Sequence, residues 1–236
     1  MRQHPIPPVT EPTQYRAIGV VRGLYIPTEA ETLTRGVIRT DDGSEIEAVV
    51  LGRLLTLMRR HLDLEAPHLW VVYPRSRQEQ LLHLQMVGVW EPSTLAGDGE
   101  NPDELSDQLD EGDDYFSVRG ELIYTRPETG DLVVKVRQRP RADGNRPIPF
   151  KLQLRGEIPL DHLRHFVALD LRRKGQQLEL EAYEVLGPVA QRGNRGGKSK
   201  SRRAGSEKPR RDPSSLADQG GPAKSLRPHS KAVIRP

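Results

Sequence analysis

Between residues 15 and 92 apolar and polar positions alternate in short runs, interrupted once by a helical spacing. A first run carries "VRGLYIP" (Val21 to Pro27), and "LTRGVIRT" and "SEIEAVVL" then flank "DDG". Two β-branched, alternating runs about an Asp-Gly turn predict a hairpin. In "RLLTLMRRHL" the spacing of Leu54, Leu55, Leu57, Met58 and Leu62 predicts one apolar helical face, with Arg53, Arg59 and Arg60 largely off it. "HLWVVY" and "LLHLQMVGVW" follow as two more strands, parted by "PRSRQEQ" and closed by Glu91-Pro92. The predicted order is three strands, a helix and two strands.

The same order returns after a second Val-Arg-Gly, in "VRGELIYT" (Val118 to Thr125). A strand over about 115–125 turns at "RPETG", and "DLVVKVRQR" and "PFKLQLRG" supply strands two and three. "LDHLRHF" places Leu160, Leu163 and Phe166 at helical intervals, and "VALDLRR" and "LELEAYEVL" complete the set before Gly187-Pro188. Val21 precedes Val118 by 97 residues and Pro92 precedes Pro188 by 96, so opening and closing marks recur at nearly one spacing, as in a tandem repeat. Five strands with a helix between the third and fourth is the order of the OB-fold, a small Greek-key barrel. The expected fold is mainly β: two tandem five-stranded OB-like barrels, each with a helix between strands 3 and 4, plus a disordered linker and tail. The expected organisation is a disordered arm at 1–14, barrels at 15–92 and 115–188, an acidic linker at 93–114 and a basic disordered tail at 189–236.

Composition sharpens this division. Hydrophobic residues are 35% of the 236 and mean hydropathy is −0.65, low enough that part of the chain contributes no core. The formal net charge of +3 conceals a segregation. Residues 93–114 hold 9 acids and no Lys or Arg, while residues 187–236 hold 13 Lys/Arg against 3 acids. Asymmetry of this kind speaks of partners rather than of fold. The absence of cysteine excludes a disulfide framework, a thiolate nucleophile and a Cys-based zinc site. The proline-rich opening "MRQHPIPPVTEPTQ" lacks the apolar block of a secretory signal, and no run approaches the about 18 apolar residues of a membrane span, so a soluble, cytoplasmic protein without membrane contact is expected.

The stretches "IGVVRGLYIP", "HLWVVYPR" and "VGVWEP" resemble a family of cyanobacterial proteins of about this length with two OB-fold-like domains. The resemblance covers residues 15–92 well and the second half less specifically. It implies a cyanobacterial setting and brings no activity or site residue with it, so the residues themselves must carry the functional reading.

Motifs for phosphate-loop, Rossmann and nucleophile-elbow chemistry are absent, and no enzyme activity or cofactor is expected. His162 and His165, three apart beside Asp161, could ligate a metal from one helical face, but a short polar helix capping a barrel explains them better. Asp41, Asp42 and Glu45 near a turn could hold a cation, although turn acids usually bond the local backbone. No metal site is assigned. Binding offers more. Alternation turns Lys135, Arg137 and Arg139 away from Val134 and Val136, and Lys151, Gln153 and Arg155 away from Leu152 and Leu154. On adjacent strands these predict one basic face, extended by Arg141 and Arg146 in the connecting loop, where OB-folds bind nucleic acid.

No clear aromatic lies on that face by alternation, which leaves the orientation of Phe116, Tyr124 and Tyr183 open. Phosphate or shape recognition of structured RNA therefore fits better than base stacking. In the first copy, Arg16 and Arg22 share a parity on strand one, Arg35 and Arg39 fall on strand two, and Arg75 and Arg77 in the loop between strands four and five. Trp70 and Trp90 alternate with aliphatics and are expected in the core or between domains, leaving this barrel as a docking surface for a protein partner. Arg192, Arg195, Lys198, Lys200, Arg202, Arg203, Arg210 and Arg211 form an arm like the Arg-rich segments that bind RNA without sequence preference. The acidic linker would compete for the basic face until RNA displaces it. The functional expectation is non-catalytic binding of structured or ribosomal RNA, with a protein–protein adaptor or a single-stranded DNA binder as the alternatives.

Overall fold

The computed structural model describes residues 4–29, 31–77, 81–94, 106–138, 140, 142, 144–145 and 147–189. In the first copy, β1 (Arg16–Glu29) pairs antiparallel with β2 (Thr32–Arg39), and β2 with β3 (Glu45–Val50). An α-helix, α1 (Leu54–His61), leads to β4 (His68–Ser76) and β5 (Leu82–Val89). β5 runs parallel to β3 and antiparallel to β4, and β4 returns to β1, so the sheet closes. In the second copy β6 (Tyr115–Arg126), β7 (Asp131–Val136), β8 (Phe150–Arg155), β9 (His165–Lys174) and β10 (Gln177–Pro188) repeat this circuit. Its parallel closure is weak, a single pair between Glu179 of β10 and Arg155 of β8. Among the described residues no helix is long and apolar enough to cross a membrane.

Closure depends on the first strand of each copy serving two neighbours. Gly23 is the last β1 residue paired with β4, and Leu24 is the first paired with β2. A Cβ on Gly23 would stand 2.6 Å from the Arg39 carbonyl oxygen, and one on Gly120 would stand 2.6 Å from that of Lys135. Strand two therefore crosses the Val-Arg-Gly glycine at a distance that no side chain permits. The indole of Trp70, wholly buried, donates to the Gly23 carbonyl at 2.9 Å and fixes the same corner from inside. Around it pack Tyr25, Ile38, Ile46, Met58 and Met86, and burial pushes the Tyr25 phenol up to about 12.

The helix sits where its spacing placed it. Leu54 and Met58 are buried, while Arg59, Arg60 and His61 occupy the last turn, the favourable end of the helix dipole for cations. Its counterpart is smaller than expected: Leu160–His162 is one 3-10 turn, Leu160 and Leu163 are exposed, and Phe166 belongs to β9. The apolar positions of "LDHLRHF" thus do not line up on a helix. Arg164, at φ 64°, breaks the spiral and turns the chain into β9.

The two barrels share one ten-stranded sheet, because β1 and β6 pair antiparallel. Gly19 lies opposite Phe116, and each stands two residues before the valine of its own Val-Arg-Gly. Equivalent points of the copies therefore meet, which sets the repeats about an approximate two-fold axis. Other contacts stiffen the junction. The Arg173 guanidinium, almost fully buried, donates to both Asp114 oxygens at 2.7 Å and to Asp42 of the first barrel at 3.0 Å. Asp42 is also held well below the usual carboxylate range, first by the Thr40 hydroxyl and then by the Ser44 amide. The Gln153 amide donates to the Ser76 hydroxyl at 2.8 Å, and the Leu82 amide to the Gln176 carbonyl at 3.2 Å. Arg75 lies 3.9 Å over the Phe150 ring.

Parts of the arm and linker expected to be disordered are among the described residues and make specific contacts. From the arm, Ile6 is buried against Ile18, Val20, Leu69 and Val71, and the Pro7 and Pro12 carbonyls accept from Arg16 and Arg119. From the linker, residues 106–114 are docked: Leu109 packs on that same cluster, Asp113 binds Arg22 at 2.6 Å, and Ser93 is tied to Asp107. Proline-rich and acidic segments find order here because the outer β1–β4 face is apolar and the junction is lined with arginines that need carboxylates.

Candidate nucleic-acid interface

The predicted face exists, and its parity is as expected. Leu132, Val134, Val136, Leu152 and Leu154 are buried, so Asp131, Val133 and Lys135 on β7 point outward beside Lys151, Gln153 and Arg155 on β8. The register sets Lys135 opposite Lys151, Val133 opposite Gln153 and Asp131 opposite Arg155. Two lysines directly across an antiparallel pair repel, and such an arrangement costs stability unless an anion relieves it.

The face is nevertheless less basic than its parity suggests. Lys135 binds Glu121 of β6 at 2.5 Å, and Arg137 lies 3.8 Å from the same carboxylate, with its guanidinium 5.5 Å over Tyr15. Arg155 binds Asp131 at 2.5 Å and the Thr129 carbonyl at 3.1 Å. Lys151 is exposed and has no carboxylate partner among the described residues. It is the cation on this face best placed to take a phosphate. Arg139, Arg141, Arg146 and all the tail cations (Arg192, Arg195, Lys198, Lys200, Arg202, Arg203, Arg210 and Arg211) lie outside the described residues.

The structure adds side chains that alternation left undecided. A β-bulge in β6 between Leu122 and Tyr124 shifts the parity of the strand, leaving Leu122 fully buried and Tyr124 38% exposed. Arg126, two residues on, lies 5.8 Å over the Tyr124 ring. Both line one groove with Ile123, Asp131, Lys151 and Gln153, and its rim is completed by Ser76 and Arg77 of the first barrel. Of the other aromatics left open, Phe116 is fully buried and Tyr183 is exposed beside His162. His162 and His165 are edge-to-face rings 5.9 Å apart, on either side of the 3-10 turn's exit rather than on one helix face.

Arg77 spans the two barrels in another sense: it also pairs with Glu47 on the outer side of β3. Burial, and after it the Arg77 charge, hold the neighbouring His83 below the ordinary imidazole range. His83 Nδ1 stands 3.7 Å from the same Glu47 carboxylate. The acids of the docked segment engage other partners than the β7–β8 cations: Glu111 meets His4, Asp113 meets Arg22 and Asp114 meets Arg173.

Residues 17–97 match the family described as the PatR RNA-binding protein N-terminal OB-fold domain. Residues 118–187 match a family described as a cyanobacterial OB-fold-like RNA-binding domain, C-terminal. The chain belongs to a cyanobacterial family with two tandem OB-fold-like domains. No curated protein matches the sequence. Each matched segment carries one closed barrel and one Val-Arg-Gly corner, apart from the first residue of β1 and the ends of β6 and β10.

Proposed function

We propose that the protein is a non-catalytic RNA-binding protein that holds the phosphates of a structured or ribosomal RNA on the β7–β8 face of its second barrel. The observation that carries this reading is Lys151, exposed and without a carboxylate partner among the described residues, at the position where the first barrel has Glu45 neutralising Arg39. An open cation on the surface where OB-folds bind nucleic acid attracts a polyanion. The matched families are both described as RNA-binding, which supports RNA over other polyanions. Arg137 adds charge to the face, Lys135 and Arg155 chiefly keep it folded, and the basic tail raises the encounter rate.

The test is a salt titration of RNA affinity by fluorescence anisotropy on the full chain. Phosphate binding gives a linear fall of log affinity with log salt, and Lys151→Ala should weaken binding about 5-fold at low salt and shallow that slope by 0.7 to 0.9 on the order of one phosphate contact. An unchanged affinity and slope would reject the face. The second reading, a protein adaptor, draws on the apolar groove of the first barrel lined by Pro5, Pro7, Tyr73, Val87, Trp90 and Pro92. It requires salt-insensitive binding of a defined protein and RNA affinity indifferent to Lys151.

A further inference from the structure

The groove beside Lys151 joins three features that a plain phosphate-binding surface does not need. Tyr124 is an exposed ring brought outward by a bulge that displaces the strand's own alternation. The exposed Arg126 guanidinium lies 5.8 Å over one face of that ring, which brings a cation to the groove. Gln153 sits across from Val133 in the groove wall, an amide able both to donate and to accept. A flat π-face, a two-way hydrogen-bonding side chain and flanking cations together match a nucleotide, with its base on the ring and its phosphates on the cations. A duplex cannot use this set, because its bases are stacked on one another and present no face to a tyrosine.

The fourth feature comes from the other barrel. Ser76 and Arg77 reach the groove from the end of β4 and the turn after it, and the hydrogen bond that the Gln153 backbone N–H donates to the Ser76 hydroxyl pins that segment to β8. Arg77 is thus a cation of barrel one poised on the rim of a groove in barrel two, held there by Glu47.

Resting on the reading of this face as an RNA surface, we infer that the groove is a subsite for one unpaired nucleotide of a structured RNA, as in a loop or bulge, built jointly by both barrels. The base stacks on Tyr124 with Gln153 at its edge, and the adjoining phosphates lie between Lys151, Arg126 and Arg77. Arg77 exchanges Glu47 for a phosphate as the RNA binds. The site is incomplete without the first barrel.

The experiment compares two labelled RNAs on the full chain: a hairpin with an unpaired loop, and a blunt duplex of the same stem. Tyr124→Leu should weaken hairpin binding by about 5- to 150-fold, the range of one lost base–aromatic stack, and leave duplex binding unchanged, while Tyr124→Phe retains affinity. Arg77→Ala should reduce the salt slope on the hairpin by about 0.7, one single-strand phosphate. Tyr124 is exposed, so a thermal melt matching the parent identifies Tyr124→Leu as folded. If Tyr124→Leu leaves the hairpin affinity intact while Lys151→Ala weakens it, the stacking subsite is wrong and the phosphate face stands. An unaltered slope in Arg77→Ala removes the first barrel from the site. If Lys151→Ala and Tyr124→Leu are both silent, the face itself falls and the inference with it.

Discussion

The strand two–three faces of the two barrels can be laid over one another residue by residue, because the same register starts just after each Val-Arg-Gly glycine. Arg39 opposite Glu45 corresponds to Lys135 opposite Lys151, Val37 opposite Glu47 to Val133 opposite Gln153, and Arg35 opposite Val49 to Asp131 opposite Arg155. The backbones solve one closure problem in the same way, but the outward charges differ. Barrel one carries its acids on β3, within the face, and they neutralise Arg39 and Arg77. Barrel two moves acids to the margins, Glu121 on β6 and Asp131 at the start of β7, and leaves Lys151 open. The duplicated fold is thus a scaffold, and a few outward positions on strand three separate a self-neutralised surface from one that keeps an open lysine.

The sharpest way to break what the barrels share is at the corner glycines. Gly23→Ala or Gly120→Ala places a Cβ against a backbone carbonyl that no rotamer change can move. Each should cost about 3 kcal/mol, the upper part of the range for overpacking. For a domain of this size that is a fall in Tm of about 6–12 °C, read by calorimetry or circular dichroism. A loss under about 2 °C in either would show that the close approach is not what fixes the glycine.

What the barrels do not share is tested by exchanging charge. Lys151→Glu gives the second face the pairing of the first, and should weaken RNA binding at least about 10-fold while leaving Tm unchanged or slightly raised, since opposite charges across strands attract. Glu45→Lys in barrel one should tighten RNA binding by no more than about 3-fold, because Glu47 still occupies Arg77 there. Equal changes from both substitutions would mean that the RNA does not distinguish the faces.

The smallest difference lies in the pairs themselves. Arg39 and Glu45 are about half exposed, so Arg39→Ala should cost under about 0.5 kcal/mol by denaturant unfolding. The Glu121 side chain is only 14% exposed, and Lys135→Ala, which strips its cation, should cost about 1 kcal/mol. A reversed ranking would contradict the structural role assigned to Lys135.

The order of elements was legible because closure of a small barrel leaves local marks: alternation, turn residues, and a Val-Arg-Gly that opens each copy. The faces of Lys135, Lys151, Gln153 and Arg155 were legible for the same reason, since a period of two fixes which side of a strand a residue takes. Tyr124 was not, because a bulge adds a residue and reverses the parity beyond it. Nor was the order of residues 4–14 and 106–114, whose proline-rich and acidic composition is that of solvated chain until an apolar face and unpaired arginines are brought beside it.

By itself, then, the sequence determined two copies of one barrel, each opening on a Val-Arg-Gly, and the outward direction of Lys135, Lys151 and Arg155. Only the tertiary structure decided that β1 and β6 join the barrels into one sheet, that Glu121 and Asp131 pair with Lys135, Arg137 and Arg155, and that Arg77 crosses to the groove of Tyr124 and Lys151. The physical reason is that alternation is a property of a single strand. Neutralisation depends on which strand lies next to it and in what register, and those are fixed by contacts between residues far apart in the chain.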